Sequence, residues 1–234
     1  MQPLDFETSV QEIIRRTGDV KSFRFRRPEG FDYDPGQYIF VTVVANGEER
    51  TKPLTISSSP TEGFLEFTKR ITEHEFSMVL DRLKTGDRLH LKGPNGSFTF
   101  KGEHPKVGMI TGGIGSTPFR SMIRYCTDKW IQSQITLLYG NKSEDSIVFK
   151  DELDWLERTN KNLRVVHTLS RPGDSWKCRR GHIDFRMIQE EVPDYAERVF
   201  YVCGPPVLVT DCVSHLKALM VPDIRINVEN FPGY

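Results

Sequence analysis

Lys106-Val107-Gly108-Met109-Ile110-Thr111-Gly112-Gly113-Ile114-Gly115-Ser116-Thr117-Pro118-Phe119-Arg120-Ser121-Met122 decides the architecture of this chain. The short apolar run reads as a buried strand. The glycines after it let the backbone turn sharply and approach a ligand, and Ser-Thr-Pro then opens a helix. This is the outline of a phosphate site, because unpaired N–H groups at a helix start and the positive end of its dipole bind an anion without any basic side chain. A purely structural strand-to-helix turn has the same composition, so the rest of the chain must decide between the two.

Downstream of this stretch, strands alternate with helices. Strands are expected at 107–111, 135–139, 163–169, 199–203 and 223–228, and helices at 118–128, 149–158, 185–190 and 207–220. Such alternation marks a doubly wound parallel sheet covered by helices on both faces. Upstream, residues 5 to about 100 form short alternating segments bounded by Gly, Pro and Asp, as in Ser22-Phe23-Arg24-Phe25-Arg26 and Gly63-Phe64-Leu65-Glu66-Phe67. That rhythm implies an antiparallel barrel or sandwich. One interruption, 75–84, carries Phe76, Val79, Leu80 and Leu83 at helical spacing and stops at Gly86-Asp87, which fits a barrel capped by a single helix. The rhythm changes at Gly102-Glu103-His104-Pro105, so the expected domains are a β-barrel at 1–102 and an α/β domain at 103–234.

Composition narrows the partners. The 234 residues carry 32 Lys plus Arg against 32 Asp plus Glu, so no net field draws the chain to nucleic acid or to an anionic membrane. The most apolar stretches, such as 38–45, are far shorter than a membrane helix, and Met1-Gln2-Pro3-Leu4-Asp5 has no basic leader region; a soluble cytoplasmic protein is the expectation. Cys126, Cys178, Cys203 and Cys212 are scattered without C-x-x-C spacing, and the six histidines are dispersed, so neither an iron–sulfur cluster nor another metal site is expected.

Three further segments bear on chemistry. The run Thr51-Lys52-Pro53-Leu54-Thr55-Ile56-Ser57-Ser58-Ser59-Pro60 could offer hydroxyl donors to a polar planar ligand, with Lys52 balancing a phosphate, or be an ordinary edge strand. Gly93-Pro94-Asn95-Gly96 reads only as a turn. Phe200-Tyr201-Val202-Cys203-Gly204-Pro205-Pro206 is a second strand that meets a glycine and then a helix. In an open parallel sheet this turn and the Gly112 turn face one crevice, with Cys203 either at its mouth or as a buried structural cysteine.

K/R-P-x-S/T in a barrel strand, then G-G-x-G-x-T-P, then C-G-P-P resembles the ferredoxin–NADP reductase superfamily in order and spacing, over nearly the whole chain. The resemblance implies that the barrel binds a flavin and the α/β domain a nicotinamide dinucleotide. Thr55 would hydrogen-bond flavin N5. Beside Pro53, Lys52 takes the place of the usual phosphate-pairing Arg, and Leu54 the place of the usual ring-packing Tyr. Lys69-Arg70-Ile71 resembles the segment along the ribityl and phosphate side. Ser77 resembles the residue that meets the pyrophosphate of FAD, although His74 stands where a glycine is usual; the helix start favours FAD over FMN. Gly112, Gly113, Gly115, Ser116, Thr117 and Pro118 would cradle the pyrophosphate of the nicotinamide nucleotide.

Ser170-Arg171 resembles the pair that holds a 2′-phosphate, which favours NADPH over NADH. The run Trp176-Lys177-Cys178-Arg179-Arg180-Gly181 is either added positive charge or a solvated loop. Cys203, Gly204 and Pro205 would lie against the nicotinamide. Glu229 would help place Cys203 and the carboxamide, and Phe231 or Tyr234 would cover the ring. The implied catalytic set is Thr55, Cys203 and Glu229. The implied partner is an electron acceptor on another chain: ferredoxin, flavodoxin or an oxygenase component. A reductase that uses flavin as a diffusing substrate and a non-catalytic docking subunit are the alternatives.

Overall fold

The computed structural model describes residues 3–231, which fold into two six-stranded sheets. The first contains β1 (Leu4–Arg15), β2 (Val20–Arg26), β3 (Tyr38–Ala45), β4 (Glu48–Thr55), β5 (Phe64–Arg70) and β6 (Arg88–Asn95), with α1 (Glu75–Arg82) between the last two strands. Its order is β4-β3-β6-β1-β2-β5, antiparallel throughout. The sheet curls until its two edges meet, where Ile56 bridges Phe67 and the Ser57 N–H donates to the Glu66 carbonyl at 2.7 Å. Alternation sends one face of each strand inward. Phe23 and Phe25 of β2 both stack on Phe67 of β5, with centroids 5.2 and 5.3 Å away, and all three are fully buried. Each such ring contributes about 2–3 kcal/mol of burial.

The second sheet contains β7 (Lys106–Gly112), β8 (Gln134–Asn141), β9 (Leu163–Leu169), β10 (Arg179–Arg180), β11 (Val199–Gly204) and β12 (Ile226–Asn230). All its pairings are parallel, in the order β10-β9-β8-β7-β11-β12. Helices α2 (Thr117–Asp128), α3 (Lys150–Thr159), α4 (Phe185–Glu191) and α5 (Pro206–Ala218) alternate with the strands. Separate apolar clusters fill the two faces, one around Met109, Phe119 and Leu137, the other around Ile110, Leu138 and Phe200. Burial on both faces is why these strands read as continuous apolar runs. Among the described residues no helix is long and apolar enough to cross a membrane.

Most boundaries fall within two residues of the sequence reading, and two differences concern the type of structure. The glycine-rich turn is itself helical: Gly113–Ser116 forms a 3₁₀ turn that runs into α2, so the helical backbone begins before Ser-Thr-Pro. At the C-terminus, Asp223–Arg225 is a 3₁₀ turn and the strand starts only at Ile226.

The two halves meet across a polar seam. Arg120 of α2, only 2% exposed, donates to the Ser57 carbonyl at 2.9 Å and pairs with both Glu62 of the barrel and Glu152 of α3. Ser121 Oγ donates to the Ser58 carbonyl at 2.6 Å, and Thr61 Oγ1 to Asp128 Oδ2 at 2.6 Å.

Candidate active site

A cleft of about 870 Å³ opens between the ends of β3, β4 and β5, the start of α1 and the end of β12. It brings together Lys52, Pro53, Leu54, Thr55, Lys69, Ser77, Glu229 and Phe231, eight of the residues singled out in the sequence. Thr55 is nearly buried at the closing edge of β4, opposite Tyr38 of β3. Leu54 is only 4% exposed and joins the barrel core, so it presents little of itself to the cleft. Ser77 is buried at the start of α1 and accepts from Thr72 Oγ1 at 3.2 Å. Tyr38 and Phe40, which the sequence reading passed over, meet edge to face along the cleft wall, 5.5 Å between centroids.

Each wall of the cleft carries a perturbed ionisable group. Burial, with Arg70 and Lys52 nearby, pulls the Lys69 ammonium down to about 8. Both causes disfavour the charged ammonium, and an anion beside it would favour that form again. At the other wall, burial pushes the Glu229 carboxyl up to about 7, and its Oε2 is buried with no hydrogen-bond partner. An unsatisfied buried oxygen costs on the order of 1–3 kcal/mol unless a ligand or proton meets it.

Glu229 owes its position to register. In the β11–β12 ladder it lies directly beside Cys203, whose side chain is fully buried. Burial, with Glu229 alongside, holds the Cys203 thiol well above its ordinary range, so it is a neutral apolar wall. The side chain is therefore enclosed and not exposed at the crevice.

The two glycine turns interlock. A Cβ on Gly115 would lie 2.6 Å from Gly204 Cα and 2.8 Å from the Cys203 carbonyl oxygen, so backbone meets backbone with no room for a side chain. Gly113 adopts φ +54° and Gly204 φ +152°. The Gly204 carbonyl accepts from the Phe231 N–H at 3.0 Å, which ties the chain end to the turn. Arg70 reaches out of the barrel to this turn, its Nη2 3.3 Å from where a Cβ on Gly113 would stand, and its Nε 3.2 Å from Asp19. Ser116 and Thr117 turn their hydroxyls back onto the Gly113 and Ile114 carbonyls, which leaves the backbone as the polar face of the turn.

Ser170 and Arg171 follow β9, two strands from the Gly112 turn. Their N–H groups bond the Asn141 and Lys142 carbonyls at 3.0 and 2.8 Å, which brings exposed Lys142 beside Arg171. The sequence reading missed Lys142; its place directly after strand 134–141 was the available signal. The basic run 177–180 is largely occupied: Arg179 pairs with Glu190 and Glu191, and Arg180 donates to the Gly173 and Trp176 carbonyls.

The serines of the hydroxyl run do not join the site. Ser57 Oγ donates to Glu66 Oε1, Ser58 Oγ accepts from the Glu66 N–H, and both serine carbonyls belong to the domain seam. Glu66 is fully buried; burial alone would raise its carboxyl, yet Arg16, Arg120 and Arg24 outweigh that and hold it low. Tyr234 lies outside the described residues.

The donor set fits two nucleotide cofactors: an apolar-walled cleft with cations at one side for a flavin nucleotide, and a glycine cradle on adjoining strand ends for a dinucleotide. Known proteins agree. The family described as "Oxidoreductase FAD-binding domain" matches residues 7–100, and "Oxidoreductase NAD-binding domain" matches 109–214. Ferredoxin–NADP reductase B of Sorangium cellulosum is 30% identical over 245 residues, covering 99% of both chains. The reductase component of propane 2-monooxygenase from Mycolicibacterium smegmatis is 28% identical over 235 residues, covering 97% of this chain and 68% of that one. In structure, the FAD/NAD-binding domain of nitric oxide dioxygenase from Vibrio cholerae shares the fold with a TM-score of 0.87 at 24% identity, covering 96% of this chain and 98% of the other.

Proposed function

The chain belongs to the ferredoxin–NADP reductase superfamily, and from that premise we propose that it passes hydride from NADPH to FAD held by the barrel, and electrons onward to a separate acceptor such as a ferredoxin, a flavodoxin or an oxygenase component. Its FAD-binding and NAD-binding halves make it an oxidoreductase. We divide it at residues 1–102 and 103–234. The observation that carries the reading is the meeting of Thr55, Lys69 and Glu229 in one cleft, with Cys203 beside Glu229 on the strand whose glycine turn packs on the nucleotide cradle.

FAD, when bound, accepts hydride from the nicotinamide and releases electrons singly or in pairs. The chain supplies alignment and charge. Lys52 and Lys69 offset phosphate on the barrel side, and the Thr55 hydroxyl orients the flavin ring from the end of β4. Gly112, Gly113 and Gly115 bring backbone donors up to the dinucleotide phosphates. Cys203 sets the depth to which the nicotinamide sinks, and Glu229, whose carboxyl titrates at about 7, is divided between its protonated and charged forms at neutral pH and presents Oε2 to the carboxamide. Arg171 and Lys142 supply positive charge and Ser170 a hydroxyl for the 2′-phosphate, which underlies the choice of NADPH.

A second reading treats flavin as a diffusing substrate. Its support is that Lys52 is exposed and offers a point charge where an Arg would fork, while Leu54 is spent on the core. The test for both is an absorbance spectrum of the purified protein, followed by anaerobic addition of NADPH and, separately, NADH. A bound yellow chromophore that bleaches faster with NADPH supports the first reading. A colourless protein that oxidises NADPH only with added flavin supports the second. Failure of either nucleotide to react in any flavin's presence refutes both and leaves a docking subunit.

A further inference from the structure

The carbonyl of Gly113 opens the 3₁₀ turn at the nucleotide cradle, and it accepts from two hydroxyls. Tyr139 Oη donates at 2.8 Å and Ser116 Oγ at 3.1 Å. Tyr139 belongs to β8, the strand beside β7, and its ring is completely buried in the cluster beneath α2 and α3. Its oxygen also lies 3.1 Å from Ser116 Oγ and 3.3 Å from the Val148 carbonyl, just ahead of α3. One phenol thus spans the first strand's turn, the end of that turn and the entry to the next helix.

Gly113 needs an outside hold. It sits at φ +54° without a side chain, between Gly112 and Gly115, and the one bond its carbonyl receives from within the turn, from Ser116, is the longer of the two. If the Gly113 peptide flipped, its carbonyl would point at the crevice and oppose an anion there. Hydrogen bonds that hold the carbonyl on the core side keep the opening N–H groups of the helix, which have no intrahelical acceptor, toward the ligand. Burial pushes the Tyr139 phenol up to about 12, so it stays protonated and able to donate throughout the neutral range.

We propose that Tyr139 is a positioning residue of the dinucleotide site, whose hydroxyl sets the orientation of the Gly113 peptide and thereby the pyrophosphate affinity of the cradle. This rests on the reading of that turn as the nucleotide cradle. The hydroxyl touches neither cofactor; it acts through the backbone of another strand. Its expected signature is a loss confined to ligands that carry a pyrophosphate.

The test is Tyr139→Phe in the full-length, FAD-loaded protein, which removes one oxygen and keeps the ring. Calorimetric binding of ADP-ribose should weaken about five- to tenfold, the effect of one buried hydrogen bond, while 2′-AMP, which has no pyrophosphate, binds as in the wild type. With NADPH and ferricyanide, KM should rise by a similar factor, kcat should stay within about twofold, and FAD content should not change. Equal ADP-ribose affinity in variant and wild type overturns the inference, as does a parallel loss of 2′-AMP binding, which would indicate general loosening of the domain. If the wild type itself fails to bind ADP-ribose, the nucleotide reading of the turn falls first, and this inference with it.

Discussion

Replacing Glu229 with Gln should stabilise the protein at neutral and alkaline pH, although Glu229 stands in the proposed active site. The carboxyl titrates near 4.5 in an ordinary setting and at about 7 here, because burial disfavours its charge and Oε2 has no partner. A carboxyl whose folded pKa is raised binds a proton more tightly folded than unfolded. Its protonated form therefore carries no penalty below pH 4.5, stability drains away as pH rises from 4.5 to 7, and the loss is complete above 7. A shift of about 2.5 units corresponds to about 3 kcal/mol at 1.36 kcal/mol per unit, an upper figure because part of the residue meets solvent. Gln keeps the shape and cannot ionise. Urea unfolding of the wild type and Glu229→Gln from pH 4.5 to 8.5 isolates the effect, since every other group cancels in the difference. The curves should converge at pH 4.5 and separate in the variant's favour by up to about 3 kcal/mol at pH 8. A difference that does not change with pH, or a variant less stable than wild type at pH 8, refutes the reasoning. In stopped flow the same variant should reduce bound flavin more slowly, so the site trades stability for function.

Other positions give sharper single outcomes. Cys203→Ser should slow flavin reduction by NADPH with a much smaller change in nucleotide affinity, and an unchanged rate removes the thiol from the site. Gly115→Ala drives a methyl group to 2.6 Å from the Gly204 backbone, so ADP-ribose binding should fall more than tenfold while FAD is retained; normal binding would mean that the two turns can separate freely. Arg120→Met strips the compensating charge from Glu62 and Glu152 across the domain seam and should cost about 3–5 kcal/mol in denaturant unfolding, the usual penalty for orphaning a buried ion pair. A loss under 1 kcal/mol would show the seam to be hydrated.

What the sequence made legible was local. The apolar run 107–111 with its glycines marked a buried strand and its turn because both signals are contiguous, and strand 163–169 matched its observed bounds because Leu163, Val165, Val166 and Leu169 stand between the polar flanks Asn160-Lys161-Asn162 and Ser170-Arg171. What it hid was long-range. Ser57 and Ser58 look like ligand donors until Arg120, Ser121 and Glu66 claim their polar groups, and two of these partners lie 63 residues away in the chain. Lys142 meets Arg171 only because neighbouring strands end together. The expected start of the last strand at 223 fell three residues early, since Ile224 supplies strand-like composition to a segment that turns as 3₁₀. For Cys203 the sequence left the crevice mouth and a buried position both open, because spacing gives strand ends but not the direction of a side chain.

The pairing of Cys203 with Glu229 through a parallel ladder makes the length of the connection before β12 a chemical parameter. Shift the strand by one position and Val228 or Asn230 stands beside Cys203, while every side chain of the strand changes face. Residues 221–225 thus act as a spacer of fixed calibre: a single insertion or deletion there would leave both nucleotide folds standing, yet put a methyl group or an amide where a titrating acid belongs. Variation among relatives of this chain should accordingly fall on the identity of those five residues and spare their number.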